Sequence, residues 1–398
     1  MERVRTGIVA MGHRGVAWIN TIGLEPLAEV VAVCERLPVR LEQGAARAGL
    51  GADRAFAELD DMLTCSEVDA VAVNVEPEYI ASVAERSLAA GKHVISEVPL
   101  AYTLEDCWRV VLATERSGLV FAMAEQRSYM PFVRAWRQLI QEGLLGKPLY
   151  GEAQYFHGLV NERVYLDEAT GREISVEEAQ GNPHARKNRP WNLVHPLWYS
   201  PHSLGPLLAV LGGRVTEVSC MSTRKQSYYR EFMPIPDIEV AIMKHDDDCI
   251  LRIACGFQSP SASPHHWQHL VGTLGEVETS RRLTAGSGQG GGSLLWLANH
   301  YTPGRSEVDW GFSEYQRGLP GAAVSGHGGS DLYPLHDFVE CVLRGKTPLV
   351  DVYRAAEIAG PSVIAGHSAD QGGRLLPVPD FRPGLHRPAG QAPAGVEL

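Results

Sequence analysis

The chain has no apolar run approaching the roughly 20 residues that a membrane-spanning helix needs, so none is expected. Its first residues, MERVRTGIVAMG, lack the apolar core of a secretory signal. Positive charge is in short supply. Lys plus Arg number 36 against 47 Asp plus Glu, a formal net charge of −11. A nucleic-acid binder normally needs a basic face, so that class is set aside. The seven cysteines (Cys34, Cys65, Cys107, Cys220, Cys249, Cys255, Cys341) never form a CxxC pair, and their count is odd. That usage argues against a disulfide framework or a zinc site and for a reducing, cytoplasmic setting. No internal repeat is visible. What remains is ordinary globular material, 44% hydrophobic and 21% charged over 398 residues. Disorder as the main state is excluded, and two domains are expected.

Over the first 125 residues short β-rich runs alternate with helical periods. The runs are VRTGIVA (4–10), EVVAVC (29–34), DAVAVNV (69–75), KHVISE (92–97) and LVFAMAE (119–125). Ile80, Val83, Ala84 and Leu88 recur at helical spacing before Gly91. Leu104, Cys107 and Val111 do so after Thr103, an N-cap candidate. This alternation predicts a parallel, doubly wound sheet. After residue 126 the texture changes. Helices are expected over 131–142 and 201–211, and strands over 149–158, 216–222, 238–245, 249–257 and 269–279. Strands with few helices between them predict an open, mostly antiparallel sheet. GSGQGGGS (286–293) reads as a flexible loop, and 335–345 as an amphipathic helix. The fold class is α/β, with domains at 1–125 and 126–378 and an extended or loose tail at 379–398.

The first strand runs into AMGHRG (10–15), and a helix follows. This is a dinucleotide turn with Ala10 in place of the first Gly. Gly12 lets the backbone approach a pyrophosphate, Gly15 lets the helix pack on the strand, and the helix start faces the phosphates. Glu35 ends the second strand, about 20 residues on, where a carboxylate binds the ribose 2′-hydroxyl. That favours NAD over NADP, while Arg36 and Arg40 leave NADP open. The expected cofactor-binding set is Gly12, His13, Arg14, Gly15, Glu35, Arg36, Asn74, Pro77, Glu97 and Pro99.

VNVEPEYIASVAERSLAAGKHVISEVPLAYTLEDC (73–107) resembles the Gfo/Idh/MocA oxidoreductase family. The likeness continues at GLLGKPLYGEAQY (143–155), GTLGEVE (272–278) and HGGSDLYPLHDFVECVLRGKTPLVDVYRAAEIA (327–359). It implies a Rossmann domain, then an α/β domain whose open sheet carries substrate on one side and often a dimer contact on the other. Family dehydrogenases usually read EKP after GKHV, and that Lys helps deprotonate the hydroxyl being oxidised. Here the triplet is Glu97-Val98-Pro99, and Val98 cannot move a proton. The NAD-dependent glycosidase branch of the family, typified by α-N-acetylgalactosaminidases, also reads EVP and carries Tyr-x-x-His-Gly-x-Gly-Pro. YSPHSLGP (199–206) resembles that stretch, with Ser203 in place of the first Gly. NAD-dependent sulfoquinovosidases are a second glycosidase reading on this fold.

The resemblance implies a reaction without paired carboxylates. Hydride passes from sugar carbon 3 to NAD⁺, the ketone acidifies the carbon 2 hydrogen, and the anomeric group leaves by elimination. Water then adds, and hydride returns to carbon 3. His202 is the expected base on the carbon 3 hydroxyl. Ser200 and Pro201 read as N-cap and first helical residue, and the positive end of the helix dipole would keep the imidazole neutral. Tyr155 is the candidate for the carbon 2 proton, a role that needs a depressed pKa or a positive neighbour. Tyr199 and Glu125 are expected to bind hydroxyls. Lys92 reads as a surface residue. Each has a structural alternative: His202 as a capping or packing side chain, Tyr155 as an aromatic on a half-buried strand, Glu125 as a solvated loop carboxylate.

PHARKNRPWNLVHPLWY (183–199) places Arg186, Lys187 and Arg189 ahead of that motif, with Trp191 and Trp198 able to stack on a sugar face. Together they could hold an anionic glycoside, or else form a solvated loop. His265 and His269 lie at a strand entrance without a carboxylate or Cys at ligand spacing, so no metal is expected. The expected partners are a small, possibly anionic glycoside and a second copy of the chain, as dimer or tetramer, with neither nucleic acid nor membrane. Two rival functions stand beside the glycosidase: a sugar or cyclitol dehydrogenase that releases NADH, and a non-catalytic NAD-dependent binding protein.

Overall fold

The computed structural model describes residues 2–158, 165–187, 194–229, 233–258, 265–280, 292–299, 304–384 and 387–393. The N-terminal strands are β1 (Val4–Val9), β2 (Ala28–Cys34), β3 (Ala55–Phe56), β4 (Ala70–Val73), β5 (His93–Ser96) and β6 (Phe121–Met123). Between them run α1 (His13–Leu24), α2 (Pro38–Ala48), α3 (Leu59–Leu63), α4 (Pro77–Ala89) and α5 (Leu104–Ser117). The strands form one parallel sheet in the order β3-β2-β1-β4-β5-β6. All four residues of β4 are apolar and buried, as a central strand covered on both faces requires. β1 lies between β2 and β4, so the strand order reverses there. In such sheets the crevice beyond the strands' carboxyl ends at that point takes the ligand. Thr103 caps α5 as its sequence position predicts, its hydroxyl accepting the Asp106 N–H at 3.0 Å.

The second domain opens with α6 (Pro131–Gln141) and β7 (Pro148–Phe156). A small three-stranded sheet follows, built of β8 (Tyr165–Asp167), β9 (Arg172–Ile174) and β10 (Ala185–Lys187), with α7 (Val176–Ala179) between the last two. Then come α8 (Pro201–Leu211), β11 (Val215–Ser222), β12 (Glu239–His245), β13 (Ile250–Gly256), β14 (His266–Gly272), β15 (Gly275–Thr279), β16 (Gly292–Leu297) and β17 (Ser306–Asp309). The chain ends with α9 (Phe312–Gly318), the short turn α10 (Gly326–Gly329), α11 (Leu332–Arg344), α12 (Val352–Asp370) and β18 (Leu376–Pro377). The large sheet has nine strands in the order β17-β16-β15-β14-β7-β13-β12-β11-β18. Its pairings are antiparallel except β7 with β13. Along β7, Gly151, Ala153 and Tyr155 face inward, where α8 packs. Tyr150 and Glu152 face out.

Several sequence expectations change. The single strand foreseen at 269–279 is a hairpin, because Thr273 and Leu274 turn the chain between β14 and β15. β16 begins at Gly292, inside the stretch read as loop, and 281–291 lies outside the described residues. The small sheet carries no strong period and was not foreseen. Neither was α12, which is buried on nearly all sides and so has no amphipathic stripe. Lys92 is not a surface residue. It is 9% exposed, and its ammonium donates to the carbonyls of Cys65 and Val68, closing the loop before β4.

The described part of the tail is anchored. Arg387 makes a two-pronged pair with Glu115 of α5 at 2.6 and 2.8 Å, and both side chains are buried. Tyr353 and the Gly390 N–H add bonds to the same carboxylate. Burial alone would raise the Glu115 pKa; these donors outweigh it and hold the group below the usual carboxylate range. Arg387→Ala strands a buried carboxylate, so it is expected to cost about 3–5 kcal/mol. A lower urea midpoint checks this, and an unchanged midpoint would show the tail to be energetically idle.

Candidate active site

At the nucleotide end, Ala10 sits at φ +70°, a left-handed conformation that glycine adopts without strain, so the turn keeps its geometry despite the substitution. Gly15 cannot be replaced as freely, since a Cβ there would stand 1.9 Å from the Ala10 carbonyl oxygen. Glu35 is buried, and its oxygens accept the N–H groups of Met11 at 2.8 Å and Leu37 at 2.9 Å. Each oxygen keeps a second acceptor position. A cavity of about 410 Å³ opens on Gly12 and His13 and runs along the groove between α1 and α2. No acidic residue lies in the first turn of α1, where the helix dipole favours an anion. Asn74 is half-buried beside this turn with its Oδ1 unpartnered in the described structure. Pro77 is the first residue of α4. These features fit a bound dinucleotide.

Glu97 receives Arg14 Nε at 2.8 Å and Trp18 Nε1 at 2.7 Å. Arg14 also reaches Asp331 at 3.1 Å, tying the Rossmann domain to the start of α11. The Val98-Pro99 peptide is cis. The Arg36 guanidinium donates to Glu168 at 2.5 Å.

The second group of residues gathers around His202. His202 is the second residue of α8 and 5% exposed. Pro201 starts the helix as expected, but Ser200 does not cap it; its hydroxyl meets Ser362 at 2.7 Å instead. His202 Nδ1 lies 2.7 Å from Glu125 Oε2. Glu125, fully buried beyond β6, accepts the Arg127 N–H through its other oxygen at 3.0 Å. Gly205, one turn further along α8, makes room for this carboxylate: a Cβ there would stand 2.9 Å from Glu125 Cγ. So each Glu125 oxygen already has one partner inside the protein, and the side chain is closed to solvent. As the carboxylate it accepts from Nδ1, which leaves Nε2 as the acceptor of the imidazole.

Tyr155 stands beside them. Its ring stacks on His266 at 4.0 Å between centroids, meets His202 edge-on at 5.8 Å, and its hydroxyl lies 3.2 Å from His157 Nδ1. Burial pushes its phenol above the ordinary value, and the Arg127 charge counters only part of that. The depressed pKa expected of a free base is absent; Tyr155 is a neutral phenol. Tyr199 joins the group edge-on to His202 at 5.8 Å, and burial raises its phenol too. The charges of Glu97, Arg14 and Glu125 also act on this phenol, more weakly than burial does.

Three neighbours were missed. Arg127 is buried, and its guanidinium bonds to the His202 carbonyl and Gln268 at 3.2 Å each. Burial lowers it to about 10, so it stays cationic at neutral pH. His157 is two residues beyond Tyr155, hence on the same face of the chain as it leaves β7, a period-2 signal the sequence did contain. Burial draws it down to about 4. His266, directly across from Tyr155 in the β7–β14 register, is held well below the usual imidazole range by burial and then by Arg127.

Other expected residues lie elsewhere. Arg186 is exposed, paired with Glu168 at 3.4 Å and with nearby carbonyls rather than with the His202 group. Lys187 ends β10, while Arg189 and Trp191 lie outside the described residues. Trp198 packs against Tyr102 at 5.4 Å and His195 at 5.0 Å, inside the protein rather than against a sugar. His265 turns to the Phe156 carbonyl and His269 to Glu276, and no group of three or more ligand-type residues among those described is arranged for a metal. No helix among the described residues is long and apolar enough to cross a membrane.

Residues 4–125 match the Gfo/Idh/MocA oxidoreductase family, NAD-binding Rossmann fold, and residues 310–387 match the glycosyl hydrolase 109 C-terminal domain. The chain joins a Gfo/Idh/MocA NAD-binding Rossmann domain to a glycosyl hydrolase 109 C-terminal domain. Along its whole length it is 23% identical to a glycosyl hydrolase family 109 protein of Akkermansia muciniphila, spanning 85% of that relative. A family 109 protein of Stenotrophomonas maltophilia is 24% identical over 96% of the chain and 90% of the relative. Among solved structures, an oxidoreductase domain protein from Kribbella flavida superposes with a TM-score of 0.76 at 16% identity, covering 95% of this chain and all of that one. Levoglucosan dehydrogenase in complex with NADH and levoglucosan superposes with a TM-score of 0.75, also at 16% identity, covering 95% and 100% of the two chains. The glycosyl hydrolase 109 segment carries α11, α12 and the anchored tail, so it contributes Asp331 to Arg14 and Arg387 to Glu115.

The neutral imidazoles generate a pH prediction. His157 protonates near 4 when folded and near the ordinary 6.5 when unfolded. Between those values the unfolded chain binds a proton that the folded chain refuses, so stability falls as the pH drops through that window. His157→Gln should make the decline shallower in urea midpoints taken from about pH 7 to pH 4; an equally steep decline would assign it to other groups.

Proposed function

We propose that this chain is an NAD-dependent glycosidase that opens the glycosidic bond through transient oxidation at sugar carbon 3. The observation that carries the proposal is the buried Glu125–His202 pair, which offers a proton acceptor in a chain whose Val98, standing where family dehydrogenases carry Lys, cannot move a proton. The glycosyl hydrolase 109 match supports the glycosidase branch. Gly12, Gly15, Glu35 and Asn74 would hold the dinucleotide, which when bound supplies reversible hydride acceptance.

His202 takes the carbon 3 hydroxyl proton on Nε2. Glu125 is its positioning residue: it selects the tautomer, turns the ring and stabilises the imidazolium that forms. Tyr155 acts as a relay rather than as a free phenolate. It takes the carbon 2 proton while handing its own to neutral His157 Nδ1, 3.2 Å away. Arg127 supplies the fixed positive charge that favours the developing enolate. The outward face of the nine-stranded sheet, with Met221, Ile242 and Trp296 exposed, is the surface we assign to a second copy. The pairing of Arg186 with Glu168 argues against an anionic substrate held by that residue.

The second reading is a sugar dehydrogenase, favoured by the likeness in fold to levoglucosan dehydrogenase. A His202 base would serve either reaction; the fate of the hydride separates them. With aryl glycosides and NAD⁺, phenol release without accumulating NADH is expected. Stoichiometric NADH without phenol would select the dehydrogenase, and neither signal across a broad sugar panel would leave a binding protein. His202→Ala should abolish turnover with NAD binding intact. Glu125→Gln keeps the shape but not the charge, and should lower kcat on the order of 10²- to 10⁴-fold. Unchanged kcat in either variant removes the pair from its role.

A further inference from the structure

The small sheet of β8, β9 and β10 meets the nucleotide end of the chain. It reaches back to the Rossmann domain. Its turn docks at the start of α2, where Gly171, at φ +68°, sits so close that a Cβ would stand 2.9 Å from Val39 Cγ1. Gly171 and Glu173 line the same cavity as Gly12, His13 and Arg40. One carboxylate of the clasp, Glu168, follows β8 directly. Its backbone N–H is held by the His184 carbonyl at 3.0 Å, so its position is set by the fold of the clasp. Its two oxygens meet two guanidinium groups: Arg36 at 2.5 Å and Arg186 at 3.4 Å.

Arg36 directly follows Glu35. In Rossmann domains a guanidinium at this place accommodates the 2′-phosphate of NADP. Here that guanidinium already has a carboxylate partner, delivered from a segment 132 residues away. A 2′-phosphate would have to displace Glu168 or lie against its charge. An exposed ion pair such as this one contributes little to stability, at most about 1 kcal/mol. Its consequence falls on the choice of ligand, where like-charge placement discriminates strongly.

We propose that Glu168, presented by the β8–β10 clasp, makes the site selective for NAD by occupying Arg36 and placing a negative charge where the 2′-phosphate of NADP would lie. The proposal rests on NAD binding by the Rossmann domain and holds for either a glycosidase or a dehydrogenase.

The test is calorimetric titration of the full chain, stripped of bound nucleotide, with NAD⁺ and NADP⁺ separately. Glu168→Gln is expected to shift the ratio of the two Kd values toward NADP by about tenfold or more, or 1.4 kcal/mol. Arg36→Gln alone should not move the ratio toward NADP, because the Glu168 charge then stands with one partner fewer. Adding Arg36→Gln to Glu168→Gln should cancel the gain. An unchanged ratio in Glu168→Gln, with an unaltered melting temperature, overturns the proposal. So does a shift of the ratio toward NADP in Arg36→Gln alone, which removes a guanidinium and leaves the Glu168 charge in place. A chain that binds neither nucleotide would overturn the NAD reading itself, a result distinct from both.

Discussion

A carboxylate with no exposure to solvent meets an imidazole with almost none, at 2.7 Å, across the junction of the two domains. A charge in that position is tolerated only when its partners are in place. Glu125 ends the Rossmann sheet and His202 opens α8, so the pair forms only when both domains are folded and correctly docked. The surrounding residues serve this contact. Arg127 gives its N–H to the Glu125 carboxylate and its guanidinium to the His202 carbonyl. Gly205 leaves the carboxylate its space. Gln268 on β14 completes the ring of donors and acceptors. A network of this kind is worth keeping only if it is fully satisfied.

A second tie sets the nucleotide end against this one. Arg14 stands in the first turn of α1 and holds Glu97 on one side and Asp331 on the other. Burial would raise Asp331, but His327 and Arg14 outweigh it and hold it down at about 2. The turn that approaches a dinucleotide is therefore braced from the far end of the chain. Charges of both ties, Arg14 and Glu97 of one and Glu125 of the other, act on the Tyr199 phenol.

The electrostatics around Tyr155 show why residue types alone misjudge roles. In sequence Tyr155 resembles a base. In the fold, burial outweighs the Arg127 charge and keeps the phenol protonated, while the same burial keeps His157 and His266 neutral. The tyrosine hydroxyl lies against His157 and its ring stacks on His266, so one phenol joins the two imidazoles.

Local spacing was enough to specify a good part of this protein. The alternation of strands and helices, the turn from Ala10 to Gly15, the Thr103 cap and the α8 motif all depend on neighbours within a few residues, and all were legible. The parallel sheet and the NAD-binding domain follow from them. The parts that were not legible depend on partners far apart in the chain. Glu125 finds His202 across 77 residues, Lys92 is drawn inside by carbonyls 24 and 27 residues away, and Arg387 crosses 272 residues to Glu115. The basic stretch before the motif looked like a substrate anchor because its charges lie near it in sequence; folding carries Arg186 to Glu168 instead. Sequence proximity reports what a residue is able to do. Burial and the charge that meets it settle which of those things it does, because a group's proton affinity and free valence belong to its surroundings rather than to its side chain.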